Sequence, residues 1–382
     1  MSDADELPRF RTSVADEPPR PRPGVAALPA YKPGRSAEAA MREHDLASAI
    51  KLASNENPFA PLPSVVAALA QGGAVMNRYP DHRASAVREA LAERLGRTAE
   101  EIAVGCGSVG LLQQLLLAYV DPGQRVVYGW RSFEAYPIYT QTVGGVAVQV
   151  PNRGDDLDMA GITAAAAAAA TAPAPLVLVT SPNNPTGTTV THAELVTLLD
   201  AVPATTLVVL DEAYHEYVTA LDAPDALALQ AQYANLAVLR TFSKAYGLAA
   251  LRIGYLIGHP EVVAAVDRVL VPFCVNGVAQ AAALASLAAD AELRDRVGAT
   301  LRERDRVVAE LRRRQVPLPD AQANFVWLPV GERAIPLAHA LEAGGVVTRP
   351  FAGEGVRVTI GSPAENDRFL AWLDSTEHHW GP

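Results

Sequence analysis

From about residue 100 onward, short apolar runs rich in β-branched residues alternate with longer stretches in helical period. Seven such runs occur: "EIAVG", "RVVYG", "GVAVQV", "PLVLVTS", "TLVVLDEAY", "NLAVLRTFS" and "RIGYLIG". Their apolar positions are continuous and do not alternate with polar ones. That pattern predicts strands buried on both faces, as in a mostly parallel sheet covered by helices. On such sheets ligands gather at the carboxyl ends of the strands. Polar motifs follow those ends here: GCGS after the first run, SPNNPTG after the fourth, DEAY after the fifth and TFSK after the sixth. Their convergence predicts a single site.

Beyond about residue 272 the texture changes to long helical segments rich in Ala, Leu, Arg and Glu. The short runs "NFVWLPV" and "GVRVTIG" follow, with a helical pattern between them and a last helix around Asn366 to Leu373. This reads as a smaller α+β domain. The expected division is a flexible tail and N-terminal arm over residues 1–46, a large domain over 47–272 and a small C-terminal domain over 273–382, with part of the arm joining the small domain. The Ala164 to Ala170 run is too short to span a bilayer and reads as an Ala-rich surface helix.

Composition narrows the class. The 382 residues are 49% hydrophobic and 19% charged, as in a soluble globular protein, and the formal net charge of -10 argues against a nucleic-acid partner. Cys106 and Cys274 lie far apart, without partners at metal-ligand spacing, so neither a disulfide framework nor a metal site is expected. The acidic, Pro-rich N-terminus has no apolar core of a signal peptide, and a cytoplasmic location is expected.

"VGCGSVG" contains G-x-G-x-x-G at Gly105, Gly107 and Gly110, between a strand and a helical pattern. A dinucleotide-binding turn also needs an acidic residue at the end of the next strand, and "RVVYGW" carries none. What remains is a glycine-rich turn and a helix N-terminus that offer backbone N–H groups to a phosphate.

A phosphate cradle, a lysine, an aspartate and an Asn-Pro turn on successive strand ends suit pyridoxal phosphate. That cofactor needs a lysine for its aldehyde, a carboxylate for its pyridinium nitrogen, and donors for its ring oxygen and phosphate. Lys244 is the candidate for the Schiff base. Only Lys32, Lys51 and Lys244 occur, so arginine is the default surface cation and a lysine at a strand end stands out. Asp211, at the end of "TLVVL", would meet the protonated ring nitrogen. Tyr214 and Asn184 are candidates for the ring oxygen. Thr241, Ser243 and Arg252, with the backbone of Gly107 and Ser108, would hold the phosphate, because a guanidinium donates two parallel hydrogen bonds. Phe133 in "WRSFEAY" is a candidate to stack on the pyridine ring.

Taken together, "LPAYKPG", "KLASNENPFAPLPS", "NRYPD", "SPNNPTG", "DEAY", "TFSKAYGLAALRIGY" and "GVRVTIG" resemble the fold-type I aminotransferases, within their histidinol-phosphate aminotransferase-like branch. Inside that branch "VGCGSVGLLQQL", "GWRSFEAYP", "RTFSKAYGLA" and "QANFVWLP" look like the actinobacterial aromatic amino acid aminotransferases. The resemblance implies an α/β fold with a large, mostly parallel seven-stranded sheet domain and a smaller α+β domain. By position it repeats the cofactor roles above. It adds Tyr79 of "NRYPD" reaching the phosphate from the other subunit of a homodimer, Arg357 clamping the substrate α-carboxylate, and Asn55 and Tyr31 lining the substrate entrance.

The branch divides over its amino donor. A histidinol-phosphate enzyme must hold a dianion at the far end of its substrate, and Arg349 in "VVTRPF" looks placed for that; it could equally serve the distal carboxylate of 2-oxoglutarate. Phe273 in "VLVPFCVNG" stands where histidinol-phosphate enzymes carry a tyrosine, which removes a hydroxyl that could face a phosphate. The resulting expectation is transamination between the aromatic amino acids Phe, Tyr and Trp and 2-oxoglutarate. The alternative is histidinol-phosphate transamination.

Overall fold

The computed structural model describes residues 20–28, 34–73, 76–168 and 174–375. Twelve strands occur among these residues. β1 (Ile50–Lys51) lies in the N-terminal segment. β2 (Ile102–Gly105), β3 (Arg125–Trp130), β4 (Val146–Pro151), β5 (Leu176–Thr180), β6 (Leu207–Asp211), β7 (Leu236–Thr241) and β8 (Gly254–Ile257) each arise from one of the seven apolar runs. β9 (Phe325–Leu328), β10 (Val346–Val347), β11 (Arg349–Phe351) and β12 (Gly355–Thr359) lie in the C-terminal part.

The seven middle strands form one sheet in the order β2-β8-β7-β6-β5-β3-β4. β8 runs against both of its neighbours, while every other pairing is parallel. All residues of β5, β6 and β7 are buried, which accounts for their unbroken apolar runs. Alternate residues feed two cores. Val177, Val179, Val208 and Leu210 pack on one face with the helix Gly277–Ala288, while Leu176, Leu178, Val209 and Leu239 pack on the other with the helix Gly107–Tyr119. β4 is an edge strand, partly exposed and closed by Pro151, which an edge tolerates because a missing N–H there costs no ladder bond.

A third core collects Leu52, Val307, Leu311, Val326, Leu328, Val346, Val356, Val358 and Phe369. Over it lie the antiparallel strands β11-β12-β9 and the two-stranded pair β1-β10, so the N-terminal segment joins the C-terminal domain through Ile50↔Val346 and Lys51↔Val347. The helix Asp290–Arg313 bridges the two bodies: Leu293 belongs to the sheet's core and Val307 and Leu311 to the third. The change of texture near residue 272 precedes the helix Gly277–Ala288, and that helix still packs into the sheet's core through Ala279, Ala282 and Ala283. The last helix, Pro363–Asp374, starts at a capping box between Ser362 and Glu365 with proline in its first turn. In the Ala-rich stretch the helix Met159–Ala167 buries Ile162 and Ala166 against the sheet; residues 169–170 lie outside the described ones. Among the described residues no helix is long and apolar enough to cross a membrane.

Candidate active site

The carboxyl ends of β2, β5, β6 and β7 open into one cavity of about 240 Å³, roofed by β11 and β12 of the C-terminal domain. Asn55, Ser108, Phe133, Asn184, Asp211, Tyr214, Thr241, Ser243, Lys244, Arg252, Arg349 and Arg357 all line it. Gly107 borders it through Arg252. Tyr79 and Phe273 lie outside it: their rings stack on each other at 4.5 Å on the exposed surface of the same chain. Tyr31 falls outside the described residues.

At one end, groups suited to an anion come together. Gly105 of β2 leads through Cys106 into the helix Gly107–Tyr119, whose start has no side-chain cap. Its first N–H groups are therefore open to an anion, and the helix dipole favours one. Gly107 holds φ +73°, and a Cβ there would lie 2.7 Å from Arg252 Nη2. Gly254 must also lack a side chain, because its Cβ would press to 2.5 Å from the backbone nitrogen of Ser108. Arg252 itself adopts a left-handed backbone at φ 55°, a sparsely populated state that recurs at functional positions. It donates through Nη1 to Ser243 Oγ at 3.3 Å, and the Ser243 N–H donates to Thr241 Oγ1 at 3.1 Å.

At the floor, Asp211 ends β6 with its carboxylate buried. Tyr136 donates its hydroxyl to Oδ2 at 3.0 Å and the Ala213 N–H donates to Oδ1 at 3.2 Å. Neither donor is charged, and burial pushes the Asp211 pKa up to about 6. Tyr136 is itself shifted well above its ordinary range, first by burial and then by the carboxylate beside it. Lys244 Nζ donates to the backbone carbonyls of Ser54 and Asn55, each at 3.2 Å. Burial, with Arg357 and Arg252 nearby, pulls its pKa down to about 7. An amine poised near neutrality is a nucleophile at physiological pH, and such shifts gather at functional sites.

Between these groups and the roof runs a polar chain. Asn55, at φ 53°, donates through Nδ2 to the Tyr214 hydroxyl at 2.9 Å, while Thr359 of β12 donates to its Oδ1 at 3.1 Å. Tyr214 is braced edge-on by Phe325 at 5.2 Å. Asn183 binds Thr186 Oγ1, the Arg131 carbonyl and Ser132, which fixes the Asn-Pro turn and so the position of Asn184. Asn184 Oδ1 accepts a short hydrogen bond from Arg357 Nη1, and Arg357 Nη2 donates to the Ala53 carbonyl at 2.7 Å. Beside it Arg349 pairs with Glu134 at 2.7 Å and Arg131 with Glu354 at 2.5 Å. The Phe351 ring lies 5.4 to 5.9 Å from the guanidinium carbons of Arg131, Arg349 and Arg357.

Tyr136, Glu134 and Phe351 belong to this site although nothing in the motifs marks them. Tyr136 and Glu134 lie inside the aromatic motif "WRSFEAY", but their partners lie 75 and 215 residues away in sequence.

The residues present fit pyridoxal phosphate. A buried carboxylate with only neutral donors calls for a cation, an uncapped helix start beside Arg252 calls for an anion, and a poised amine lies between them.

Comparison with known proteins agrees. A family model described as "Aminotransferase class I and II" matches residues 47–373. A Thermobifida fusca protein named aromatic amino acid aminotransferase is 53% identical over 354 residues, 93% of this chain and 96% of its own. One of the same name from Streptomyces avermitilis is 51% identical over 358 residues, covering 94% of this chain and 97% of its own. Among solved structures, the histidinol-phosphate aminotransferase of Sinorhizobium meliloti in complex with pyridoxal 5'-phosphate is 31% identical. It has a TM-score of 0.85, with 95% of this chain and 98% of that one covered.

Proposed function

The chain belongs to the class I and II aminotransferases, and from that premise we propose that it moves an amino group, reversibly, between the aromatic amino acids Phe, Tyr and Trp and 2-oxoglutarate. Pyridoxal phosphate is its cofactor. The observation that carries the reading is the meeting of Lys244, Asp211, Arg252 and Arg357 in one cavity, in a chain about half identical to aromatic amino acid aminotransferases.

When bound, the cofactor supplies an aldehyde that captures the substrate amine and a cationic ring that withdraws electrons from the substrate's α-carbon. Asp211, when ionised, would meet the ring's N–H and keep the ring cationic, with Tyr136 donating to the carboxylate. Tyr214 and the amide of Asn184 would hold the ring oxygen. Arg252, Ser243, Thr241 and the N–H groups of Gly107 and Ser108 would hold the phosphate, and Phe133 would stack on the ring. Lys244 would hold the aldehyde and, as a free amine, would take a proton from the substrate α-carbon and give it back in the transfer. Its depressed pKa suits both duties, because the neutral amine accepts a proton and the ammonium gives it back. Arg357 binds the substrate α-carboxylate and Asn55 borders the entrance.

The enzyme acts as a homodimer. Tyr79 is 83% exposed and Phe273 39% exposed, and Met76 and Val271 nearby are exposed apolar residues. A second copy covering this patch would bury it, and Tyr79 is the residue proposed to reach the partner's phosphate site.

Steady-state kinetics with 2-oxoglutarate as acceptor test the substrate. Phenylalanine should exceed histidinol phosphate in kcat/KM; a tenfold preference for histidinol phosphate, about 1.4 kcal/mol of transition-state binding, would reverse the reading.

A further inference from the structure

We propose that Glu134 sets the balance between aromatic and anionic substrate side chains, by acting as the internal counter-ion of Arg349. The inference rests on the aminotransferase reading above and goes beyond it, because it assigns a specificity role to a residue outside the cofactor's grip.

Arg349 and Arg357 are register partners across β11 and β12, so their side chains leave the same face of the ribbon and share the cavity. Like charges directly opposite each other on a sheet repel, and each needs its own compensation. Arg357 donates to Asn184 Oδ1 and to the Ala53 carbonyl. Arg349 is met by Glu134 Oε2 at 2.7 Å, which cancels its charge. Arg131 is neutralised in the same way by Glu354. Beside Arg357 the cavity is thus lined by the closed Arg349–Glu134 pair and the Phe351 ring, and the Arg131–Glu354 pair stands against the same ring without lining the cavity.

An aromatic side chain can lie along that lining without breaking either pair. A distal carboxylate or phosphate must instead take Arg349 from Glu134. Glu134 is able to yield, since its side chain is 34% exposed whereas that of Arg349 is 15% exposed. The aspect of the site seen by a substrate therefore depends on whether the pair is closed or open. Glu134 also follows directly on Phe133, so its position is tied to the segment that would stack on the cofactor ring.

The test uses the cofactor-loaded enzyme and two unreactive probes, glutarate and 3-phenylpropanoate, titrated through the visible absorbance of the bound cofactor. Glu134→Gln should tighten glutarate about tenfold while 3-phenylpropanoate changes by less than about threefold. Arg349→Gln should weaken glutarate by a similar factor. In the Arg349→Gln background, Glu134→Gln should have no further effect on the ratio of the two affinities. An unchanged ratio in Glu134→Gln, or an equal shift for both probes, would overturn the proposal. Because neither probe is turned over, that outcome is separate from failure of the substrate reading, which only the turnover of phenylalanine by the unaltered enzyme decides.

Discussion

Arg349 on β11 and Arg357 on β12 stand directly opposite each other, and Arg349 forms an ion pair with Glu134 at 2.7 Å. In the proposed reading Arg357 takes the substrate α-carboxylate, and Arg349 takes a distal anion only when Glu134 yields. Arg357→Lys keeps a positive charge but loses the planar fork that reaches Asn184 and the Ala53 carbonyl together. It should lower kcat/KM for phenylalanine and for glutamate alike, by about 100-fold, without changing cofactor affinity. A loss confined to glutamate would reassign the α-carboxylate to another residue.

Tyr136 acts through Asp211. Tyr136→Phe removes the hydroxyl donor 3.0 Å from the carboxylate, so the already raised pKa of Asp211 should rise further in the cofactor-free protein. Cofactor affinity should fall about tenfold near pH 7, with the loss growing towards acid. Cofactor titrations across pH 5 to 8 would show it; a loss of affinity independent of pH would mean that Tyr136 only fills space.

The poised groups burden the protein when the cofactor is absent. Lys244 has a pKa of about 7 in the fold against an ordinary 10.5, so the fold disfavours its ammonium form. That penalty is complete below about pH 7 and fades as pH rises towards 10.5. Asp211 is shifted from 3.8 to about 6, so its penalty is absent below 3.8 and complete above about 6. Near pH 7.5 the cofactor-free chain carries both. Lys244→Met should therefore raise the Tm of the cofactor-free protein by several degrees at pH 7.5 and by much less at pH 10. Scanning calorimetry at the two pH values checks the sign.

Gly107 is required by both conformation and space, given its φ of +73° and the guanidinium 2.7 Å from where a Cβ would stand. Gly107→Ala should weaken cofactor binding at least tenfold by displacing Arg252, while far-UV circular dichroism stays that of the parent. Unchanged affinity would remove Arg252 from the phosphate site.

The strands of the large sheet were legible from their continuous β-branched runs, which burial on both faces explains for β5, β6 and β7 but not for the partly exposed edge strand β4, and the cavity was legible because its motifs sit where those runs stop. β1, β10 and β11 were not, since two or three residues carry no period, and β1 finds β10 only through Ile50↔Val346, across most of the chain. The helix Gly277–Ala288 reads as the start of a new region by composition, and only packing assigns its alanine face to the first core. Lys244, Asp211 and Arg252 declare themselves through local motifs. Tyr136 and Glu134 do not, because a tyrosine and a glutamate inside an aromatic segment acquire meaning only from Asp211 and Arg349, brought to them by the sheet and by the β11-β12 ribbon. Phe273 and Tyr79 share an exposed stack outside the cavity.

Lys244 and its neighbours are proposed to carry a complete amino-transfer half-reaction on an aromatic donor. Its most direct test is to add phenylalanine to the cofactor-loaded enzyme with no acceptor present and to follow the cofactor's visible absorbance. The band should disappear as phenylpyruvate forms in equal amount to the enzyme sites, and 2-oxoglutarate should then restore it. A band that persists in excess phenylalanine, with no phenylpyruvate released, would contradict it.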